Sequence, residues 1–146
     1  MKNLFKMLGV ILALCIVFTA CDVSASGDNF TFSARVSSGE VKSGESFEIT
    51  VTTENTSGAE YLYRGSSRIV GATVYLVSDA DGGKITVNPT AVPITNDYRE
   101  TVIEAGEKIV FTWTFGEYTT VPSGDYDLHL EFEGERQVIP SFVTVK

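Results

Sequence analysis

Every second residue is apolar from Ile109 to Phe115, and again from Tyr126 to Phe132. Successive side chains on a strand point to opposite faces, so this period builds a sheet with one dry face and one wet face. Ile109, Phe111, Trp113 and Phe115 form one apolar face; Tyr126, Leu128, Leu130 and Phe132 form another. Phe30, Phe32, Ala34 and Val36 repeat the pattern, as do Phe47, Ile49 and Val51. A helix that buries one face would instead need apolar residues at a spacing of about 3.6. No segment beyond the N-terminal leader has that spacing, so the chain is expected to be all-β.

The punctuation between these runs is turn chemistry. Glu40 to Glu45, Asn55 to Gly58, Gly65 to Ser67, Glu104 to Glu107 and Glu117 to Gly124 supply the breaks. Asp79-Ala80-Asp81-Gly82-Gly83 is a hairpin turn, because Asp and Gly accept positive φ. Ile69 to Val77 reads as a central strand, and Lys84 to Val87 as its return. Pro89 and Pro93 demote the segment up to Tyr98 to an edge or a loop, and Pro140 marks an edge or bulge in the last strand, Gln137 to Val145. The spacing predicts an immunoglobulin-like antiparallel β-sandwich of about seven or eight strands, following an N-terminal signal helix. A closed β-barrel is the alternative.

Ahead of the strands, Lys2 and Lys6 precede an uncharged apolar run from Met7 to Ala20. That run is shorter than the roughly 20 residues needed to span a bilayer and suits the core of an export signal. Phe18-Thr19-Ala20-Cys21 resembles a bacterial lipobox, with Phe18 where the pattern usually has Leu. The resemblance implies cleavage before Cys21, acylation of its thiol, and attachment to the extracytoplasmic face of the cell membrane. Residues 1–20 are then a lipoprotein signal peptide, residues 21–29 a flexible tether, and residues 30–146 the β-sandwich domain. Val23-Ser24-Ala25 offers an ordinary cleavage site instead, which would release a secreted protein beginning at Ser26.

Loss of Lys2 and Lys6 with the leader leaves 9 basic residues against 19 acidic ones, a net charge of −10. A nucleic-acid partner is disfavoured, because the phosphate backbone demands a basic surface. Peripheral binding to anionic lipid is disfavoured for the same reason. Cys15 lies inside the leader and Cys21 is the acylation candidate, so the domain has no disulfide and no cysteine metal site. Its stability must come from packing.

No residue pattern announces catalysis. His129, the single histidine, alternates with Leu128 and Leu130 and so faces away from the apolar side. No Gly-x-Ser-x-Gly motif accompanies it. Asp79 to Gly83 resembles the opening of a calcium loop, but Thr90 stands where a bidentate Glu would complete one. A calcium ion there would need Asp97 or Glu100 from another loop, and a plain hairpin turn is the favoured reading. Asp125, Asp127, Glu131, Glu133 and Glu135 crowd one strand, the polar face of an acidic domain rather than a paired-carboxylate site. No catalytic residue, metal or cofactor is expected. Tyr61, Tyr63, Arg64 and Arg68 are the candidate binding residues, since Tyr and Arg are enriched at binding hot spots and flank the loop at Gly65. A tyrosine pair packed on an edge strand is the competing reading.

Gly124-Asp125-Tyr126-Asp127-Leu128 resembles the Gly-x-Tyr-x-Cys segment of immunoglobulin-type domains, with Leu128 at the cysteine position and Pro122 where an Asp is usual. There the tyrosine hydroxyl bonds back to the preceding corner. The series Ala105-Gly106-Glu107, Trp113 and Gly124-Asp125-Tyr126 is similar to the BsuPI-type proteinase-inhibitor domain, itself a small immunoglobulin-like sandwich. Ser43-Gly44-Glu45, Phe47 and Asn55 resemble its first hairpin, whereas Tyr63 to Ser67 replaces its usual Ser-Gly-Gln segment. The expected function is a non-catalytic, membrane-anchored lipoprotein whose sandwich binds a protein or polymer partner at the envelope. A BsuPI-type inhibitor and, further off, an envelope hydrolase are the alternatives.

Overall fold

The computed structural model describes residues 23–38, 40–66, 71–87 and 98–146. Residues 1–22, where the leader and signal helix are expected and which include Cys21, and Arg68 lie outside the described residues. Ten strands follow in order: β1 (Val23–Ser26), β2 (Phe30–Val36), β3 (Phe47–Asn55), β4 (Tyr61–Ser66), β5 (Thr73–Ser78), β6 (Lys84–Thr86), β7 (Tyr98–Ile103), β8 (Lys108–Phe115), β9 (Gly124–Phe132) and β10 (Glu135–Val145). One sheet has the order β1-β2-β3-β8, the second β10-β9-β5-β6, and β4 and β7 form a separate two-stranded ribbon. All strand pairs are antiparallel. The chain is therefore the expected immunoglobulin-like β-sandwich, with two distinct sheets rather than one closed barrel.

Alternation decides the core. Phe30, Phe32, Phe47, Ile49, Val51, Trp113 and Phe115 of the first sheet are buried, as are Leu76, Tyr126, Leu128, Leu130, Phe132 and Ile139 of the second. Burying each such side chain contributes roughly 1.5–3 kcal/mol. The Tyr126 hydroxyl donates to the Pro122 carbonyl at 2.8 Å, forming the expected tyrosine corner. The acceptor is a backbone oxygen, which proline supplies as well as aspartate.

The structure adds to and shifts the expected elements. Residues 23–26, expected within a tether, pair with β2 in the register Val23↔Ala34 to Ser26↔Thr31. The alternation of Val23 and Ala25 with two serines spans only four residues, too short to stand out, but the open edge of β2 offers backbone partners. The central strand is described from Thr73, while Ile69 and Val70 of the expected strand lie outside the described residues. Gly71 has a φ of 148°, a conformation few other residues adopt, which sets the chain direction just before that strand. Finally, Val41 forms an isolated parallel bridge with Val145, and the Lys146 N–H donates to the Val41 carbonyl at 2.9 Å. The connection between β2 and β3, both of the first sheet, thus touches β10 of the second and closes the seam between them at that end.

At Pro140 the register of β10 with β9 shifts between Ile139 and Val143. The Ser141 N–H, displaced from the ladder at a φ of 48°, donates to Asp127 Oδ1 at 2.7 Å. The β9–β10 connection turns at Glu133 and Gly134, with φ values of 50° and 83°. Two positive φ angles in succession are what a two-residue type I′ hairpin turn requires.

Candidate functional site

The β4–β7 ribbon lies over one end of the sandwich, and its inner face is tied down by tyrosines. Tyr61 meets Phe30 edge-on at 5.0 Å between ring centroids, and Tyr63 stacks on Phe132 at 5.7 Å. Phe30 and Phe132, from opposite sheets, meet at 4.9 Å beneath them. The Tyr61 hydroxyl donates to Glu133 Oε2 at 2.8 Å, linking the ribbon to the β9–β10 turn. A Cβ on Gly65 would collide with the Tyr63 hydroxyl, so glycine there lets the ring fold back along its own strand. Burial, and then the Glu133 carboxylate, push both phenols above their ordinary pKa. They remain neutral donors, unsuited to serve as bases.

Asn55 holds the ribbon's root. It is buried, and its side-chain N–H groups donate to the carbonyls of Ala59, Ile103 and Glu104 at 2.8, 3.0 and 3.2 Å. Its Oδ1 accepts from the N–H and hydroxyl of Ser57 at 3.1 and 2.7 Å. Its main chain pairs with Gly106 and Glu107 at 2.8 and 3.0 Å. One side chain therefore joins the end of β3, the start of β4 and the end of β7. A two-stranded ribbon alone is marginal in water; these ties fix this one.

The outer face of the ribbon is consequently left to solvent. Leu62 and Val102 sit directly opposite each other and are 43% and 46% exposed. One step along, Arg64 and Glu100 face each other and form an ion pair at 3.1 Å, with both side chains mostly in water. Such a pair contributes little to stability.

The four candidate binding residues therefore divide. Tyr61 and Tyr63 are brought together, but their rings cover the core end. Arg64 is on the open face, and Arg68 lies outside the described residues. Sequence reasoning missed Leu62, Glu100 and Val102. The alternation around Tyr61 and Tyr63 already set Leu62 on the opposite face; nothing local announced that β7 would bring Val102 and Glu100 beside it.

The remaining candidates are occupied structurally. His129 stacks on Tyr75 at 4.8 Å, and Lys84 Nζ lies 3.8 Å from the centroid of that same tyrosine ring. Its neighbours across the sheet are Tyr75 and Val138, neither of them a hydroxyl nucleophile of the serine type. Each of the crowded carboxylates has a partner, although Glu135 Oε2 is buried without one. Asp125 accepts from Thr144 at 2.6 Å, Asp127 from the Ser141 N–H, and Glu133 from Tyr61. Glu131 pairs with Arg136 at 3.2 Å, and Glu135 Oε1 accepts from the Asn29 N–H and Nδ2 at 2.8 and 2.9 Å. Tyr63, Thr73, Glu131 and Glu133 line an open cleft of about 290 Å³ beside the ribbon.

In the Asp79 to Gly83 turn, Asp81 Oδ1 accepts the Gly83 N–H at 2.9 Å. That bond, with a second from Ser78, holds the Asp81 carboxyl below its ordinary pKa. Asp79 is pushed up, first by desolvation and then by Asp127 and Asp125. Among the described residues no three His, Cys, Asp or Glu side chains are grouped to hold a metal ion.

No family model matches the chain. No curated protein matches it. Among solved structures it is similar to a β-glucosidase from Listeria innocua, determined in complex with glucose, at 19% identity and a TM-score of 0.43. The alignment covers 78% of this chain and 16% of that one.

Proposed function

We propose that this chain is a non-catalytic lipoprotein of the cell envelope, acylated at Cys21, whose sandwich presents the outer face of the β4–β7 ribbon to a protein partner. The observation that carries this reading is the division of labour across the ribbon. Its inner face is fixed by Tyr61, Tyr63 and Asn55, so its outer face, with Leu62 opposite Val102, is rigid and exposed. A surface held in place before binding loses little conformational freedom on docking. Apolar side chains flanked by the Arg64–Glu100 pair match the usual anatomy of a recognition patch, an apolar centre with a polar rim.

The test is to capture partners from the envelope fraction with purified domain, wild type against Leu62→Lys/Val102→Lys. Both proteins should melt alike, because the replaced side chains are exposed. Partners retained by the wild type and lost by the double variant support the ribbon as the binding face. Equal retention removes it.

A BsuPI-type inhibitor is the second reading, favoured by the positions of the resembling residues. Ala105 to Glu107 forms a turn, Trp113 is buried, and Tyr126 makes the corner. Titration against a panel of serine proteases separates it from the first reading, since only an inhibitor lowers their rates stoichiometrically.

A further inference from the structure

β1 determines where an anchored N-terminus meets the domain. The chain joins β2 beside Ala34 and runs toward Phe30. The turn that follows is locked. The Gly27 N–H donates to the Phe30 carbonyl at 2.7 Å, and Asn29 donates twice to Glu135. A Cβ on Gly27 would collide with the Glu135 carboxylate, so that close approach depends on glycine. Only Asp22 separates Val23 from Cys21. Two residue steps reach at most about 7 Å, whatever path they take. A free tether over residues 21–29 would instead have reached about 30 Å.

The ribbon lies at the far end. Tyr61 and Tyr63 pack on Phe30 and Phe132, and Tyr61 bonds to the β9–β10 turn. The other end carries the Val41–Val145 bridge, the Tyr126 corner and Lys146. β9, with nine residues, separates the two ends by about 30 Å.

We infer that an acyl group on Cys21 holds the sandwich close to the bilayer by its Val41–Lys146 end and turns the ribbon away from the lipid. This rests on the lipoprotein reading proposed above. The anchor then does more than retain the domain: it selects which surface a partner reaches.

The test uses the full-length, acylated protein in vesicles. Cys15 leaves with the leader and the Cys21 thiol is consumed by acylation, so an introduced cysteine is the one labelling site. Lys42→Cys and Glu60→Cys, both exposed, mark the two ends. Each carries a donor dye, with an acceptor on the lipid headgroups. Transfer should be several-fold higher from position 42 than from position 60. Insertion of ten Gly/Ser residues between Asp22 and Val23 should bring the two values together. Protein that sediments with vesicles yet transfers equally from both sites, or more from position 60, overturns the orientation alone. Protein that carries no acyl chain and stays in the supernatant overturns the lipoprotein reading and the orientation with it.

Discussion

The indole N–H of Trp113 donates to the Ala72 carbonyl at 3.1 Å, joining β8 of one sheet to the entry of β5 in the other. Both residues are buried. Trp113→Phe keeps most of the packing but strands a buried carbonyl, at a cost of about 1–3 kcal/mol. Trp113→Ala also opens a cavity and should cost about 3–5 kcal/mol. Urea denaturation of the three proteins checks the order. Midpoints that coincide would place Trp113 outside the core.

Asn55 is the hinge pin of the ribbon. Asn55→Ala leaves the carbonyls of Ala59, Ile103 and Glu104 without a donor, which should cost at least about 2 kcal/mol. Asn55→Asp fits the same space but sets a carboxylate against those oxygens, and should be no better. The damage should be local. Amides of β4 and β7 should exchange with solvent faster, while those of β9 and β10 stay protected. Uniform loss of protection would show that the ribbon is not a separable element.

Asp79 and Asp81 make opposite contributions to the pH dependence of stability. Asp79 is held above the ordinary value of 3.8, so the folded state binds its proton more tightly than the unfolded chain does. Its stabilising contribution is present at low pH and is lost as pH rises from about that value through its folded pKa. Asp79→Asn should therefore raise the melting temperature at pH 7 and change it little at pH 3. Asp81 is held below 3.8, so its contribution is present above that value and lost as pH falls through its folded pKa. Asp81→Ala should lower the melting temperature at pH 7 and do little at pH 2. Thermal melts across this range test both signs.

The sheets were legible because β8 and β9 each carry an apolar face at period two, and a sandwich buries two such faces against each other. The tyrosine corner was legible in Gly124 to Tyr126, and it survived Pro122 because its acceptor is a carbonyl. β1 was not, because Val23 to Ser26 is only four residues long, with one small and one β-branched apolar side chain, and becomes a strand beside the edge of β2. The ribbon was half legible. Tyr61, Leu62 and Tyr63 showed which residues share a face, but not which face meets the core. That depends on Phe30 and Phe132, which lie far away in sequence. The pairing of β4 with β7 joins Tyr61 to Ile103, a contact no local pattern encodes. Asn55 read as a strand breaker for the same reason: its partners come from three segments.

Acylation at Cys21 underlies both the proposed function and the orientation of the ribbon, and intact mass of the membrane-extracted protein tests it most directly. The account predicts a chain beginning at Cys21 with the added mass of acyl groups, and loss of membrane retention in Cys21→Ala. An unmodified chain beginning at Ser26 would contradict it.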